Sequence, residues 1–569
     1  MLKSQYESTM AKLLFTGVPF TSMFLITGSV TDPVNVTKFF ALGGVGFSAL
    51  SLFLIRGFKS GFSVSRPVVI LAGLFVSLSF ISILTSDSPL PQNLYGVFGR
   101  NTGFLTYLFL SGLLLGALTL QKTESFKKLY LGLFFTGVIN VLYCGWAAFF
   151  GDFIGWDNPY GNILGLFGNP NFIGAFLGIW ISATIGYLLG AGLPLWQRIS
   201  VVALLILSLY AVYETHAVQG VVVTAAGTAT VGFFFIRSKT KGWLPVSLYS
   251  GAVLSFGFVA LAGALQKGPL AEIVYKTSVS LRGAYWNAGL QSALSHPFTG
   301  VGMDGYGDWY RRSRSVNAAT VLPGPSTVTN SAHNVVLDIF SYGGFPLVMS
   351  YLGLLLLGAL AILRGIKRTR NYDPIFVGLS VAWIGYQLQS LISINQIGLA
   401  VWGWVLTGAL VAYEASQRRA SSSTNSEEGF KQSGRAVKTK QGEVISSPLI
   451  AGLGLVVGLI LAAPPISADM AWFKATNSGN LVEVEKVLKP SYLHPPSSER
   501  LVNVVAILEN SKLFDKAREY ALKATEYNPE NFDSWNALYS VKNSTPVEKE
   551  LALKNMKRLD PNNPEINKR

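Results

Sequence analysis

Residues 334–363 read NVVLDIFSYGGFPLVMSYLGLLLLGALAIL, thirty residues in which Asp338 is the one charge. At about 1.5 Å per residue a helix of this length reaches ~45 Å, more than the roughly 30 Å hydrocarbon core of a bilayer. The stretch therefore predicts a membrane-crossing helix, and comparable apolar runs recur along the chain. Candidate spans lie near 12–28, 37–55, 67–84, 102–120, 129–150, 171–190, 199–213, 218–236, 243–265, 334–363, 374–394, 397–414 and 447–467. The seventh is short for a span. Half of the 569 residues are hydrophobic and 13% are charged, against about a quarter charged in a soluble domain. The expected fold is an all-α, polytopic membrane protein. The first 28 residues have no clear small-residue cleavage site and are followed by further spans, so they read as part of the protein rather than as a signal peptide.

The net charge of +15 raises the question of nucleic acid, and its distribution argues against it. Basic residues gather in alternate short loops: Arg56/Lys59/Arg66, Lys122/Lys127/Lys128, Arg198, Arg237/Lys239/Lys241, Arg364/Lys367/Arg368/Arg370, and a linker from Arg418 to Lys440. With the N-terminus in the cytoplasm, this is the positive-inside pattern over six loops. The same alternation puts the longest loop, 266–333, outside. An odd number of spans also puts residues 468–569 outside. The expected location is a membrane, crossed many times with the N-terminus in the cytoplasm. Expected boundaries are 1–415 for a multi-span domain, 416–446 for a cytoplasmic linker, 447–467 for an additional span and 468–569 for an extracytoplasmic helical domain. The linker is rich in Ser, Gly and Lys.

In the tail, LFDKAREYALKATEYNPENFDSWNAL places Ala517, Ala521 and Ala524 on one helical side, near Tyr520. Pro529 and Pro561 stand 32 residues apart, close to the roughly 34-residue tetratricopeptide period. A tetratricopeptide-like domain of two or three helix pairs is expected, either a cap that keeps the tail folded or a groove for an acceptor or protein partner.

The long loop carries SVSLRGAYWNAGLQSALSHPFTGVGMDGYGDWYRRSR (278–314). Arg282 and Trp286 lie four apart on a helix that His296-Pro297 ends, and a glycine-rich turn follows. Outside loops do not need cations under the positive-inside tendency, so Arg282, Arg311, Arg312 and Arg314 call for a reason. A phosphate-rich ligand is one, because the guanidinium fork suits it; simple solvation of RRSR is the other. His333 opens the long apolar helix that bears Asp338 and follows Ser331. A neutral imidazole there can take a proton from an attacking hydroxyl, or can merely hydrogen-bond the helix terminus. Four histidines and the single Cys144 have no metal-ligand spacing, so metal-free chemistry without a cofactor is expected. Loops assigned to the same side add Arg100 in YGVFGRNTG, Asn169 and Asn171 in GNPNFIG, and His216 and Gln219 in ETHAVQG. Each could be an interfacial turn; together they could hold a polar headgroup.

GNPNFIGAFLG, the Arg282-to-Trp286 stretch ending HPFTGVGMDGYG, and AHNVVLDIFSYGGFPL stand in an order that resembles the O-antigen ligase and O-antigen polymerase superfamily, with its protein O-oligosaccharyltransferase relatives. His333-Asn334, nine residues and then Gly344 match its histidine-asparagine-to-glycine signature, and the resemblance covers about residues 10–415. It implies a lipid-sugar-dependent glycosyltransferase fold. It also implies transfer of a glycan from undecaprenyl diphosphate, without a metal, to a hydroxyl of a lipid, a glycan or a protein. By that resemblance His333 would be the catalytic histidine, and Arg282 and Arg100 the diphosphate-contacting arginines; the loop's charge adds Arg311, Arg312 and Arg314 as further donor-binding candidates. Trp286, Asn334, Asn169, Asn171, His216 and Gln219 would support them. His216 to Gly220 stands where relatives often carry Ser-Arg-Gly, and the arginine is missing. An extra span and a helical tail exceed what transfer to a lipid core needs, which leans toward a polymerase or a protein-directed transferase.

Two other readings remain open. A small-anion transporter, of the bicarbonate kind, would use the basic loop to steer anions, although the spans hold few ionisable residues and no inverted repeat is evident. An assembly scaffold would work through the tail.

Overall fold

The computed structural model describes residues 2–57, 64–424 and 446–568, and every regular element among them is a helix. Each of the thirteen apolar stretches falls largely on a helix. Ten helices are long and apolar enough to cross a membrane, and Phe104–Ala117 is apolar but shorter. Leu2–Met23 and Pro374–Ser390 are not among the ten; Glu7 and Lys12 dilute the first, and the second has 17 residues. The seventh span is longer than its apolar run suggested, running Leu195–Glu214 and starting directly after Pro194.

Five helices position the site and the tail: α1 (Asn35–Leu52), α2 (Thr277–Ser295), α3 (Tyr306–Ser313), α4 (Val335–Arg368) and α5 (Ser447–Asn477). As expected, α2 stops at His296, just ahead of Pro297. The helix Ile397–Thr424 continues past residue 415 into the expected linker. The rest of that linker, 425–445, and Lys59 of the first basic loop lie outside the described residues. The helix that holds the final expected span, 447–467, is longer than that stretch. It carries on through Pro464 and Pro465 to Asn477 as one helix that leads into the tail.

That span packs on α1 through small residues. A side chain on Gly43 would lie 2.4 Å from Cβ of Ala462, and one on Gly458 would lie 2.0 Å from the Gly43 carbonyl oxygen. Gly454, Gly458 and Ala462 recur every fourth residue, so the two backbones approach along one stripe, a close approach that favours helix association in lipid. The tail has its own core of Val504, Leu508, Ala521, Trp535 and Met556. Its main helix pairs are α6 (Ser498–Asn510) packed on α7 (Phe514–Tyr527) and α8 (Phe532–Ser540) packed on α9 (Pro546–Leu559), with the shorter helices Leu481–Val487 and Pro564–Asn567 at either side in the chain. Ala517, Ala521 and Ala524 are all buried in it.

Candidate active site

His333 sits in a backbone conformation that few non-glycine residues adopt, with φ +54°. Asp338, one turn into α4, holds it there. Its carboxylate accepts from the Ala332 amide (2.7 Å) and from the Ser331 hydroxyl (2.8 Å), and the Ser331 oxygen in turn accepts from the His333 amide (3.0 Å). Nδ1 of His333 lies 3.2 Å from the Ser331 carbonyl. A carbonyl only accepts, so Nδ1 carries the proton and Nε2 keeps its lone pair. The half-buried ring lies 5.3 Å from the Tyr285 ring of α2. Burial, with the charges of Arg100 and Arg282 nearby, lowers its pKa to about 4, although the bond to Ser331 opposes this. His333 is therefore a neutral base at physiological pH.

Arg100 and Arg282 approach this histidine from two separate earlier segments of the chain, and the charges of both act on it. Neither guanidinium has a hydrogen bond or salt bridge among the described residues. Burial depresses the pKa of Arg282. Both are partly buried cations without a counter-charge in contact, a costly arrangement unless a ligand completes it. Asp304 fixes the loop that carries Arg100. It is 1% exposed, and it accepts from the Val97 amide (2.7 Å), the Thr102 hydroxyl (3.0 Å) and the Tyr342 hydroxyl of α4 (3.0 Å). Burial raises its pKa against these donors and Arg100. Sequence reasoning passed over Asp304, and its one signal was an acid inside a glycine-rich turn, GMDGYG.

The Gly343-Gly344 pair explains how that turn reaches the site. Both residues leave helical geometry, Gly344 at φ +65°, and break α4 below the histidine. The freed carbonyls of Ser341 and Tyr342 accept from the Val301 and Gly302 amides at 2.8 and 3.2 Å, and the Phe345 amide donates to Pro297 at 2.7 Å. A side chain on Gly344 would lie 2.3 Å from the Pro297 carbonyl oxygen. Gly344, ten residues past Asn334, is thus where the external turn is stitched to the membrane helix.

The supporting residues have varied positions. Asn334 caps α4, accepting from the Leu337 amide (3.1 Å), and donates to the Leu391 carbonyl (2.9 Å). Asn169 caps Pro170–Leu188 by accepting from the Asn171 amide (2.9 Å) and also donates to Tyr160 (3.1 Å). No side-chain hydrogen bond of Asn171 occurs among the described residues. His216 is exposed in its turn, and Lys276 donates to its carbonyl. Gln219 is 3% exposed with neither amide atom paired, and Trp286 Nε1 is likewise buried without a partner. Among the described residues no group of three His, Cys, Asp or Glu side chains could hold a metal ion.

The RRSR cluster meets protein carboxylates. Arg314 is fully buried and grips Asp560 from Nε (3.1 Å) and Nη2 (2.7 and 2.9 Å). Arg312 pairs with Glu530 at 2.6 Å. Arg311 pairs with Asp560 (3.3 Å) and Asp533 (3.5 Å) while lying 4.1 Å over the Phe532 ring. The sequence reading left these three between a phosphate and simple solvation; in the structure each pairs with a carboxylate of the tail. The tail thus packs on the same side of the helices as the 266–333 loop, and the surplus of loop cations has its partner in tail acids.

Residues 203–352, about a quarter of the chain, match the model of the family described as O-antigen ligase. The matched segment contains Arg282, His333, Asn334 and Gly344 and stops short of the tail; it supports placing the chain in the O-antigen ligase and polymerase superfamily. No curated protein matches.

Proposed function

We propose that the protein transfers a glycan from undecaprenyl diphosphate to an acceptor hydroxyl at the outer side of a bacterial cytoplasmic membrane. The observation that carries this reading is the grouping of a neutral histidine, with Nε2 unprotonated, beside two unpaired arginines. His333 Nε2 takes the proton of the acceptor hydroxyl as its oxygen attacks the anomeric carbon. The bond from that carbon to the diphosphate oxygen breaks, and its electron pair leaves with undecaprenyl diphosphate. Arg100 and Arg282 meet the charge that builds on the leaving group, an electrostatic contribution that is often the largest in such reactions. A single displacement inverts the anomeric centre. Because Arg311, Arg312 and Arg314 are paired with the tail, the donor falls to Arg100 and Arg282.

In this reading the N-terminus is cytoplasmic, the loop and tail are outside, and the tail is a short tetratricopeptide-like unit of two helix pairs. Its attachment beside the site favours a polymerase or a protein-directed transferase over a ligase for a lipid core. The test is mass analysis of glycans on undecaprenyl diphosphate and at the surface in a deletion host carrying wild type or His333→Ala. Stranded long chains, restored by wild type alone, identify a ligase or protein transferase. Single repeat units identify a polymerase. An unaltered profile in the deletion host refutes glycan transfer.

A further inference from the structure

A cavity of about 410 Å³ lies where the tail meets the membrane domain. That is within the roughly 300–1,000 Å³ of small-molecule sites. One wall is the loop carrying Tyr95, Phe98 and Asn101; another is Asn330; the tail supplies Glu499, Arg500, Asn503 and Tyr527. It adjoins the candidate active site. Asn330 also lines a small neighbouring pocket with Arg100 and Ser331, and Asn101 follows Arg100 in the chain.

The cavity contains polar groups that the protein leaves unused. Asn101 is 3% exposed, and its Oδ1 has no hydrogen-bond partner among the described residues. Buried polar atoms are nearly always paired, so an unpaired one in a cavity wall points to a ligand. Side chains of Asn330, Asn503, Glu499 and Arg500 also make no hydrogen bond among the described residues. Glu499, exposed in the cavity wall beside Arg500, offers carboxylate acceptors there.

We infer that this cavity binds the acceptor as a glycan, with the tail domain forming half of the acceptor site. The inference rests on the glycan-transfer reading. Aromatic faces carry partial negative charge that attracts the C–H face of a sugar ring, while amides and carboxyls suit its hydroxyls. An acyl chain would strand those polar groups, and charges of both signs, Arg500 beside Glu499, do not select an anion. The tail clamp at Arg311, Arg312 and Arg314 keeps the two halves of the cavity together.

The experiment uses the full chain in lipid nanodiscs and, as probe, the free oligosaccharide released by mild acid from the host's undecaprenyl diphosphate. Binding is measured by saturation-transfer NMR and calorimetry. Wild type binds the oligosaccharide; Asn503→Trp, which adds bulk from an exposed position, weakens binding at least tenfold. Glu499→Ala, measured alongside with its melting temperature, weakens it severalfold. No binding by wild type, or unaltered binding by both variants, overturns the inference. A Ser/Thr peptide that binds in place of the glycan with the same sensitivity to Asn503→Trp overturns it in favour of a protein acceptor. The two readings fail separately. A normal glycan profile in the deletion host removes the transfer reading, whereas unaltered binding by both variants removes the cavity assignment alone.

Discussion

Replacing Asp560 with asparagine removes one charge from the joint between the tail and the loop and leaves the shape nearly intact. Asp560 and Arg314 side chains are both wholly inaccessible to solvent. The carboxylate accepts from Arg314 Nε and Nη2, from Arg311 Nη1 at 3.3 Å and from Asn563 Nδ2 at 2.9 Å. Removing one partner of a buried pair costs about 3–5 kcal/mol, because the remaining ion stays desolvated. Here Arg314 keeps the carbonyls of Gly324, Pro325 and Thr327 at 3.1–3.4 Å, which argues for the low end, about 3 kcal/mol. That corresponds to a shift of roughly a hundredfold or more in the docking equilibrium. Hydrogen exchange of the full chain in nanodiscs reads it directly, since α3 and the end of α9 open together when the tail lifts. Protection in Tyr306–Ser313 should fall by that factor in Asp560→Asn. The double variant Arg314→Met/Asp560→Leu should recover most of it, because it leaves no buried charge. Unchanged exchange in Asp560→Asn would refute the clamp.

Two further outcomes follow from the site itself. Because burial and two arginines lower His333 to about 4, the unprotonated base persists down to that pH in the free enzyme. The acid limb of kcat/KM should lie near pH 4, and that of kcat higher once a diphosphate neutralises Arg100 and Arg282; a kcat/KM limb at the ordinary histidine pKa of about 6.5 would contradict the geometry. Gly344→Ala places a side chain 2.3 Å from the Pro297 carbonyl oxygen at φ +65°. It should cost about 1–3 kcal/mol and lower the thermal unfolding midpoint together with transfer activity, whereas an unshifted midpoint would mean that the kink is not needed.

The membrane architecture was legible because it is written in contiguous residues. Thirty residues with one charge, or a repeat of apolar runs separated by basic loops, can be read without knowing any neighbour. The helix end at His296-Pro297 and the opening of α4 at Asn334 were equally local. Boundaries set by packing were less so. The span at Leu195–Glu214 extends beyond its apolar run, and α5 passes through two prolines before it ends.

Site chemistry divides the same way. That His333 and two arginines deserved notice followed from residue type and position, and the structure brings the three together. The purpose of the RRSR cluster did not follow, because Arg314 and Asp560 are 246 residues apart and the sequence around each carries no mark of the other. Asp304 likewise looks like an ordinary turn acid until Val97, Thr102 and Tyr342 converge on it from two other segments. By itself the sequence determined the helices and the residues able to perform chemistry, since both depend on composition within a few turns. Which cations remain free for a ligand and which are neutralised by the protein was decided only by the tertiary structure. The state of an arginine depends on what stands within 4 Å of it in space, and chain distance does not limit that.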